Sequence, residues 1–341
     1  MKDVLEHIFE GRNLTEAQAE AVFSDIMSGG VEPLQVAAFL AALRVKGEAV
    51  SEITGAARVM RQKAAIIEAP ENAVDTAGTG GDGQHTYNIS TAAAIVTAAA
   101  GVPVAKHGNK AISSKSGSAD VLAALGVDLN ASPDQVAKDI EEIGIGFLYA
   151  VNYHKAMAHV APIRQALSTR TIFNILGPLS NPAGTKRQII GVFDEKWIEP
   201  LAQVAGRLGA YHVWVVHGAD GLDELSTTGP SQVAEWKDGG VSRFTVNAAD
   251  YGLAVADMDD LRGGDAHYNA EALKRVLAGE KNAYHDMVVL NAGAAIHVGG
   301  KSPDLRGGID LARKAIACGA ALNTLEHWAT QPHSTNGKDS A

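Results

Sequence analysis

The sequence predicts an α/β protein: a small all-helical N-terminal domain followed by a larger domain whose mostly parallel central sheet is flanked by helices. Three observations predict it. Up to about residue 64 the apolar positions recur at helical spacing; from residue 71 short apolar runs alternate with helix-forming stretches; and Gly- and Ser-rich turns punctuate Asp75 to Gly126. Such alternation implies parallel strands joined through covering helices. Ligands of these sheets bind beyond the carboxyl ends of the strands, where the glycine turns gather.

The elements follow in order. Thr15 and Gln18 form a candidate capping box, followed by Ala21, Val22, Ile26 and Met27 at helical spacing. Pro33 opens a second helix, in which Leu34, Val36, Ala37, Phe39, Leu40 and Leu43 fill more than one face, and a third runs from near Ser51 toward Ala64. Short helices this apolar have two readings, a face packed on another subunit or an internally satisfied bundle. Ser90 to Ala100 reads as a helix, and Ser132, Pro133 and Gln135 mark the start of another. Ile145–Ala150, Gln188–Phe193 and Tyr211–His217 read as buried strands, with a helix over Ile198–Leu208. From His154 to Pro182 the alternation stops and a helical pattern returns. The expected division is therefore 1–70 with about 154–184 for the helical domain, 71–153 and 185–330 for the α/β domain, and a mobile polar tail over 331–341.

Composition narrows the function. A 341-residue chain with 46% hydrophobic and 20% charged residues is ordinary for a soluble enzyme. Its formal net charge of -10 argues against nucleic acid or an anionic membrane as partner. Cys318 is the one cysteine and cannot make an internal disulfide; with no basic-then-apolar leader over Met1–Gly11, a reducing cytoplasm is expected. Lying in an Ala-rich helical stretch, Cys318 reads as a buried structural thiol. The most apolar run, Thr91 to Ala105, is too short to cross a bilayer.

Against that acidity, the stretch from Gly83 to Ala119 contains no Asp or Glu, yet carries Lys106, Lys110, Lys115, His85 and His107. A carboxylate-free, cationic, glycine-rich region is built for an anion. Gly78-Thr79-Gly80-Gly81-Asp82-Gly83 follows an apolar run and precedes a helix, so its amides and the helix N-terminus can face phosphate. Asn88, Ser90 and Thr91 are placed to cap that helix or to donate to phosphate oxygens. The next turn, Lys106-His107-Gly108-Asn109-Lys110 on to Ser113-Ser114, offers cations, amides and hydroxyls together. Two familiar phosphate motifs are incomplete here. The glycines fit G-x-G-x-x-G without the acidic residue about twenty positions later, and Gln84-His85 stand where a P-loop has Lys and Ser or Thr. Asp223-Glu224, set among Gly218, Gly221 and Gly229 after a strand, supplies the hard oxygen ligands that suit Mg²⁺. His154 and His159 are five apart, one too many for two imidazoles on one helical face, so they do not make a zinc pair. His107 either flanks a second substrate or stabilises its turn.

Taken together, Gly78–Asp82, Asn88–Thr91, Lys106–Asn109, Ser113–Ser114, Gly117–Asp120, Arg170–Pro182 and Asp220–Glu224 resemble the anthranilate phosphoribosyltransferases of tryptophan biosynthesis, in the family's order, over about Leu14 to Gly319. The resemblance implies a homodimeric enzyme that moves the phosphoribosyl group of phosphoribosyl pyrophosphate (PRPP) onto the amine of anthranilate. It implies PRPP contacts from Gly78, Gly81, Asp82, Thr86, Asn88, Ile89, Ser90, Thr91, Lys106, His107, Gly108, Asn109, Lys110, Ala111, Ile112, Ser113, Ser114 and Ser118. Anthranilate would meet Gly78, Asn109 and Arg164, and Mg²⁺ would sit on Ser90, Asp223 and Glu224. No residue is assigned as acid or base. The departures cluster at Ala150–Met157, where two prolines and a histidine of the family's usual segment are missing, and so bear on the acceptor. Lys110 stands for the usual Arg and Tyr87 for the usual Phe. The alternatives are a nucleoside phosphorylase-like enzyme, which should not need the acid pair, and a relative using another aromatic acceptor.

Overall fold

A computed structural model describes residues 1–111 and 115–331. Ile112, Ser113, Ser114 and nearly all of the expected tail lie outside them.

Four helices open the chain: α1 (Lys2–Phe9), α2 (Glu16–Met27), α3 (Pro33–Lys46) and α4 (Val50–Lys63). The capping box forms as expected. Thr15 Oγ1 accepts from the Gln18 amide at 3.3 Å, and Gln18 Oε1 accepts from the Thr15 amide at 2.9 Å, which contributes about 1 kcal/mol. Val22, Ile26 and Met27 are buried, but Ala21 faces solvent and Ala19 and Phe23 take the inner positions. Along α3, Val36, Phe39, Leu40 and Leu43 are buried, whereas Leu34 is exposed. Phe23 meets Phe39 and Phe173 edge-on at 5.6 and 5.9 Å between ring centres.

There follow β1 (Val74–Gly78), α5 (Ile89–Ala99), β2 (Val104–Gly108), α6 (Ser118–Ala124), α7 (Pro133–Glu142), β3 (Ile145–Tyr149), α8 (Ala150–Tyr153), α9 (Ala161–Leu167), α10 (Phe173–Leu176), β4 (Arg187–Gly191), α11 (Ile198–Arg207) and β5 (His212–Gly218). A hairpin of β6 (Ser231–Lys237) and β7 (Gly240–Val246) precedes α12 (Ala266–Leu277), α13 (Ala283–Val298), α14 (Leu305–Ala317) and α15 (Ala320–Ala329). The sheet order is β3-β2-β1-β4-β5-β6-β7, parallel through β5, with β6 and β7 antiparallel. The expected strands lie within a residue or two of the observed ones, and the antiparallel hairpin is an addition that the apolar alternation does not announce. Cys318 departs from expectation: it is the residue that ends α14 and is exposed, because the helix turns its buried side through Ala312, Ala315 and Ile316.

Strand alternation gives the sheet two buried faces. Ile189, Trp214 and Val216 pack beneath α5 and α13, while Ile190, Val213 and Val215 share a core with α11 and the N-terminal helices. Val160, Ile172, Phe173, Leu176 and Leu179 join that second core, so the chain after residue 154 packs back on α2, α3 and α4. Each such fully buried side chain contributes roughly 1.5–3 kcal/mol.

The strand order places the site. The chain walks from β1 through β2 to β3 in one direction, then returns to lay β4 on the other side of β1. The connections therefore part above the carboxyl ends of β1 and β4, where Gly78 is paired with Gly191. That crevice is the default ligand site of an open α/β sheet.

Candidate active site

Above the β1–β4 crevice the loop after β5 folds back over the glycine turn. Asp223 Oδ2 accepts from the Gly80 amide at 2.7 Å, and Glu224 Oε1 accepts from the Ser90 amide, in the first turn of α5, at 3.2 Å. The approach is so close that a Cβ on Gly78 would lie 2.3 Å from Asp223 Oδ2, and one on Gly191 only 1.5 Å from the Asp223 carbonyl oxygen. Gly80 and Gly81 hold φ values of 63° and 76°, the left-handed region that lets the turn present its amides. A narrow cleft lined by Gly78, Ser90, Gly191 and Glu224 lies beneath.

The two acids are under-compensated. Enclosure by the loops, and then the charge of Asp82, push the Asp223 carboxyl up to about 7; enclosure and then Asp223 itself push Glu224 up to about 8. Two carboxyls raised by burial and by a neighbouring carboxylate are the signature of a place short of positive charge.

Behind them Lys106 is 2% exposed. Its ammonium donates to the Thr76 carbonyl and lies 3.5 Å from both Thr76 Oγ1 and Ser90 Oγ. Burial lowers its pKa, and the charges of Asp75, Glu224 and Asp223 oppose that. Asp75, fully buried, accepts from the His107 amide at 3.1 Å and from Asn181 Nδ2 at 2.7 Å, and burial raises its carboxyl to about 6. Asn181 also donates to the Ala105 carbonyl at 2.8 Å, tying the strand ends to the segment after α10.

On the other side of the β2 turn, His107 and His154 face each other with ring centres 5.1 Å apart. His107 Nδ1 donates to the Gly177 carbonyl at 3.1 Å, but His107 Nε2, both nitrogens of His154 and the Tyr153 hydroxyl have no hydrogen-bond partner among the described residues. Burial drives His107 down to about 3 and His154 to about 4, so both rings are neutral. Unpaired buried polar atoms cost about 1–3 kcal/mol each and point to a ligand that satisfies them. Arg164, on α9, lies 5.5 Å from the Phe173 ring centre, its guanidinium partly desolvated.

The site residues expected from sequence divide into three sets. Gly78, Gly81, Asp82, Ser90, Lys106, Gly108, Asp223 and Glu224 converge on the crevice through the turns after β1, β2 and β5. Asn109 and Lys110 are exposed at the rim, where Ser118 Oγ donates to the Asn109 carbonyl at 3.3 Å and the Ala111 amide is held by Asp120. The side chains of Ile89, Thr91 and Asn88 turn inward. Ile89 and Thr91 are buried, so only their amides can face a ligand. Asn88 does not cap α5; its side chain donates to the Ser116 carbonyl at 3.2 Å and accepts from Asn269 at 2.9 Å. Thr86 is held by a bridge to Arg262.

Two residues at the site went unassigned. Arg170 stacks 4.0 Å above the Phe193 ring centre and donates to the Gly81 carbonyl, and Arg44 donates to the Arg170 carbonyl at 2.8 Å. The segment Arg170–Pro182 marks the region, but no local pattern says that a guanidinium there reaches the glycine turn. Gly191 is the other; it lies in an ordinary apolar strand, and only the return of the Asp223 loop explains its missing Cβ.

Comparison with known proteins agrees with this geometry. The helical bundle domain of the glycosyl transferase family matches residues 2–64 and the family's a/b domain matches residues 70–322. An anthranilate phosphoribosyltransferase of Rhodospirillum rubrum is 57% identical over 325 residues, 95% of this chain and 94% of that protein. The chain belongs to the anthranilate phosphoribosyltransferase family. Among solved members, the Thermus thermophilus enzyme superposes with a TM-score of 0.90 at 44% identity, covering 96% of this chain and 98% of its own. The Saccharomyces cerevisiae anthranilate phosphoribosyltransferase, solved in complex with PRPP and Mg, superposes at 0.87 with 28% identity and 96% of each chain covered.

Proposed function

We propose that the protein transfers the phosphoribosyl group of PRPP to the amine of anthranilate, releasing pyrophosphate and N-(5-phosphoribosyl)anthranilate in tryptophan biosynthesis. One observation carries the reading: the only acid pair in the β5 loop, Asp223-Glu224, closes on the Gly80 and Ser90 amides at the switch point of the sheet. The donor set fits Mg²⁺, since two carboxyls raised by burial and then by neighbouring acids, with a nearby hydroxyl, are hard oxygen ligands short of a cation. Asp223, Glu224 and Ser90 would hold it. Bound there, the ion neutralises the departing pyrophosphate.

The chain's own residues do the rest. The Gly78–Gly83 turn and the first amides of α5 donate to phosphate oxygens, and freeing the Gly80 and Ser90 amides for that task requires Asp223 and Glu224 to let go of them. Lys106 steadies both by spanning Thr76 and Ser90. No strong base is needed, because the amine attacks as positive charge builds on the sugar; positioning can contribute about 7–11 kcal/mol. Arg164 would orient the anthranilate carboxylate, with Asn109 and Gly78 near its amine, and the unpaired atoms of His107 and His154 would border the acceptor. Arg164→Ala should raise the anthranilate KM at least tenfold and the PRPP KM little.

The functional form we infer is a homodimer in the cytoplasm. Its support is an apolar stripe on α3, where Leu34 and Val45 are 85% and 89% exposed with Ala38 and Ala41 between them. Light scattering should give twice the chain mass, and Leu34→Glu with Val45→Glu should halve it.

The decisive assay follows loss of anthranilate fluorescence with PRPP and Mg²⁺. Turnover that persists after complete Mg²⁺ removal, or that needs inorganic phosphate instead, would reject the reading.

A further inference from the structure

At the end of the sheet opposite the glycine turns lies a second cluster of ligating side chains. His212 is the first residue of β5, Glu235 stands on β6 across from Trp214, and His297 lies in the last turn of α13. One ligand atom from each falls within 4.8 Å of the other two, the single such group of three among the described residues. From His212 to the active-site end of β5 is six residues, about 20 Å along the strand. The cluster is therefore separate from the acid pair.

We propose that His212, Glu235 and His297 form a transition-metal site of the zinc class, which clamps the β5–β6 strand pair to the C-terminal end of α13. The ligand chemistry is the first reason. Two imidazoles and one carboxylate suit Zn²⁺, which takes nitrogen at about 2.0–2.1 Å and carboxylate oxygen at about 2.0–2.2 Å, whereas Mg²⁺ prefers oxygen alone. A tetrahedron with those bonds separates its ligand atoms by about 3.3 Å. The His212–Glu235 separation of 2.7 Å must widen by about 0.6 Å, and a separation at the 4.8 Å outer limit must close by about 1.5 Å.

The surrounding groups are the second reason. His297 Nδ1 donates to the Ser302 carbonyl at 3.0 Å, which leaves Nε2 with its lone pair as the ligand atom. Trp214 Nε1 donates to Glu235 Oε1 at 2.9 Å and fixes the carboxylate in place. His212 is 4% exposed and its ring stands edge-on to that of His297, with centres 5.2 Å apart. His212 Nε2 now donates to Glu235 Oε1; on metal binding that proton moves to Nδ1 and Nε2 becomes the ligand. Glu235 and His297 keep partial exposure, so a fourth position opens to water. The nearby Lys237 opposes any cation here, but it is exposed and largely screened by solvent.

The test is Zn²⁺ titration of the whole protein by calorimetry under excess Mg²⁺, which fills the acid pair, with Co²⁺ absorption as a second readout. Expected are one Zn²⁺ per chain, a tetrahedral Co²⁺ spectrum and a Tm that rises with added Zn²⁺. Glu235→Gln with His297→Gln, both close in volume, should weaken Zn²⁺ at least about 100-fold and abolish the Tm rise. Turnover with PRPP, anthranilate and Mg²⁺ should stay unchanged. A Tm in EDTA equal to the parent's shows that the variant folds; if it does not, His297→Gln alone carries the test. Absence of Zn²⁺ binding by the parent at micromolar concentration, or equal binding by the variant, overturns the proposal.

Discussion

The two ends of the central sheet treat buried carboxylates in opposite ways. At the carboxyl end, Asp223 and Glu224 face Asp82 of the glycine turn, and burial with that charge and each other's proximity pushes their carboxyls up to about 7 and about 8. At the amino end burial also works to raise Glu235, yet hydrogen bonds from Trp214 and His212 outweigh it and leave the carboxyl below its usual range. Residue type is the same and the partners decide. Glu235 takes two side-chain N–H bonds on one oxygen, whereas Asp223 and Glu224 are more deeply enclosed, take one backbone amide each and face a further carboxylate, which leaves that pair unsettled.

Removing the unsettled pair should have the largest effect. Asp223→Asn with Glu224→Gln is expected to lower Mg²⁺-dependent turnover by about 10²–10³-fold or more, the scale of losing one fixed electrostatic group at a transition state. The same variant tests the titration. Because the folded pKa values lie above those of free carboxyls, the folded chain holds protons that the unfolded chain has released, and stability from this pair falls as pH rises through about 8. His107 and His154, depressed to about 3 and 4, act in the opposite direction below about 6.5. The clean window is therefore about 6.5 to 8. There, without Mg²⁺, denaturant titrations should show the parent losing stability relative to the variant, and Mg²⁺ should reverse the difference. A flat difference would erase the contrast between the two ends.

Next comes the backbone contact that brings the pair to the cradle. Gly191→Ala places a Cβ 1.5 Å from the Asp223 carbonyl oxygen, and backbone cannot move aside as a side chain can. Thermal melts should report a loss of about 2 kcal/mol or more, with PRPP KM raised more than anthranilate KM. Arg170→Ala should do less: freeing the Gly81 carbonyl costs one charge-assisted hydrogen bond, about tenfold in PRPP KM, with Tm close to the parent's.

Much was legible from residues alone. Capping at Thr15 and Ser132, the Pro33 start of α3 and the alternation of strands with helices are local signals, set by bonds within four residues or by side-chain period. The carboxylate-free window around Lys106 was visible too, because exclusion of a residue type is a property of the string. Of the two roles open to Asn88, the side-chain cap does not form, because its partner, Asn269, lies 181 residues away. Cys318 was misjudged because a helix end and a helix face look alike in an Ala-rich run.

By itself, then, the order of residues determined most of the helices and the parallel strands, though not the β6–β7 hairpin, and marked out the carboxylate-free stretch and the adjacent acids Asp223-Glu224, since each depends on composition and short-range periodicity. Only the folded chain decided that Asp223 closes on Gly80, that Gly191 must lack a Cβ, that Arg170 reaches Gly81 and that His212, Glu235 and His297 meet. Those are contacts between strands and loops far apart in the chain. They arise from the return of β4 beside β1 and of β6 beside β5, and no local energy encodes them.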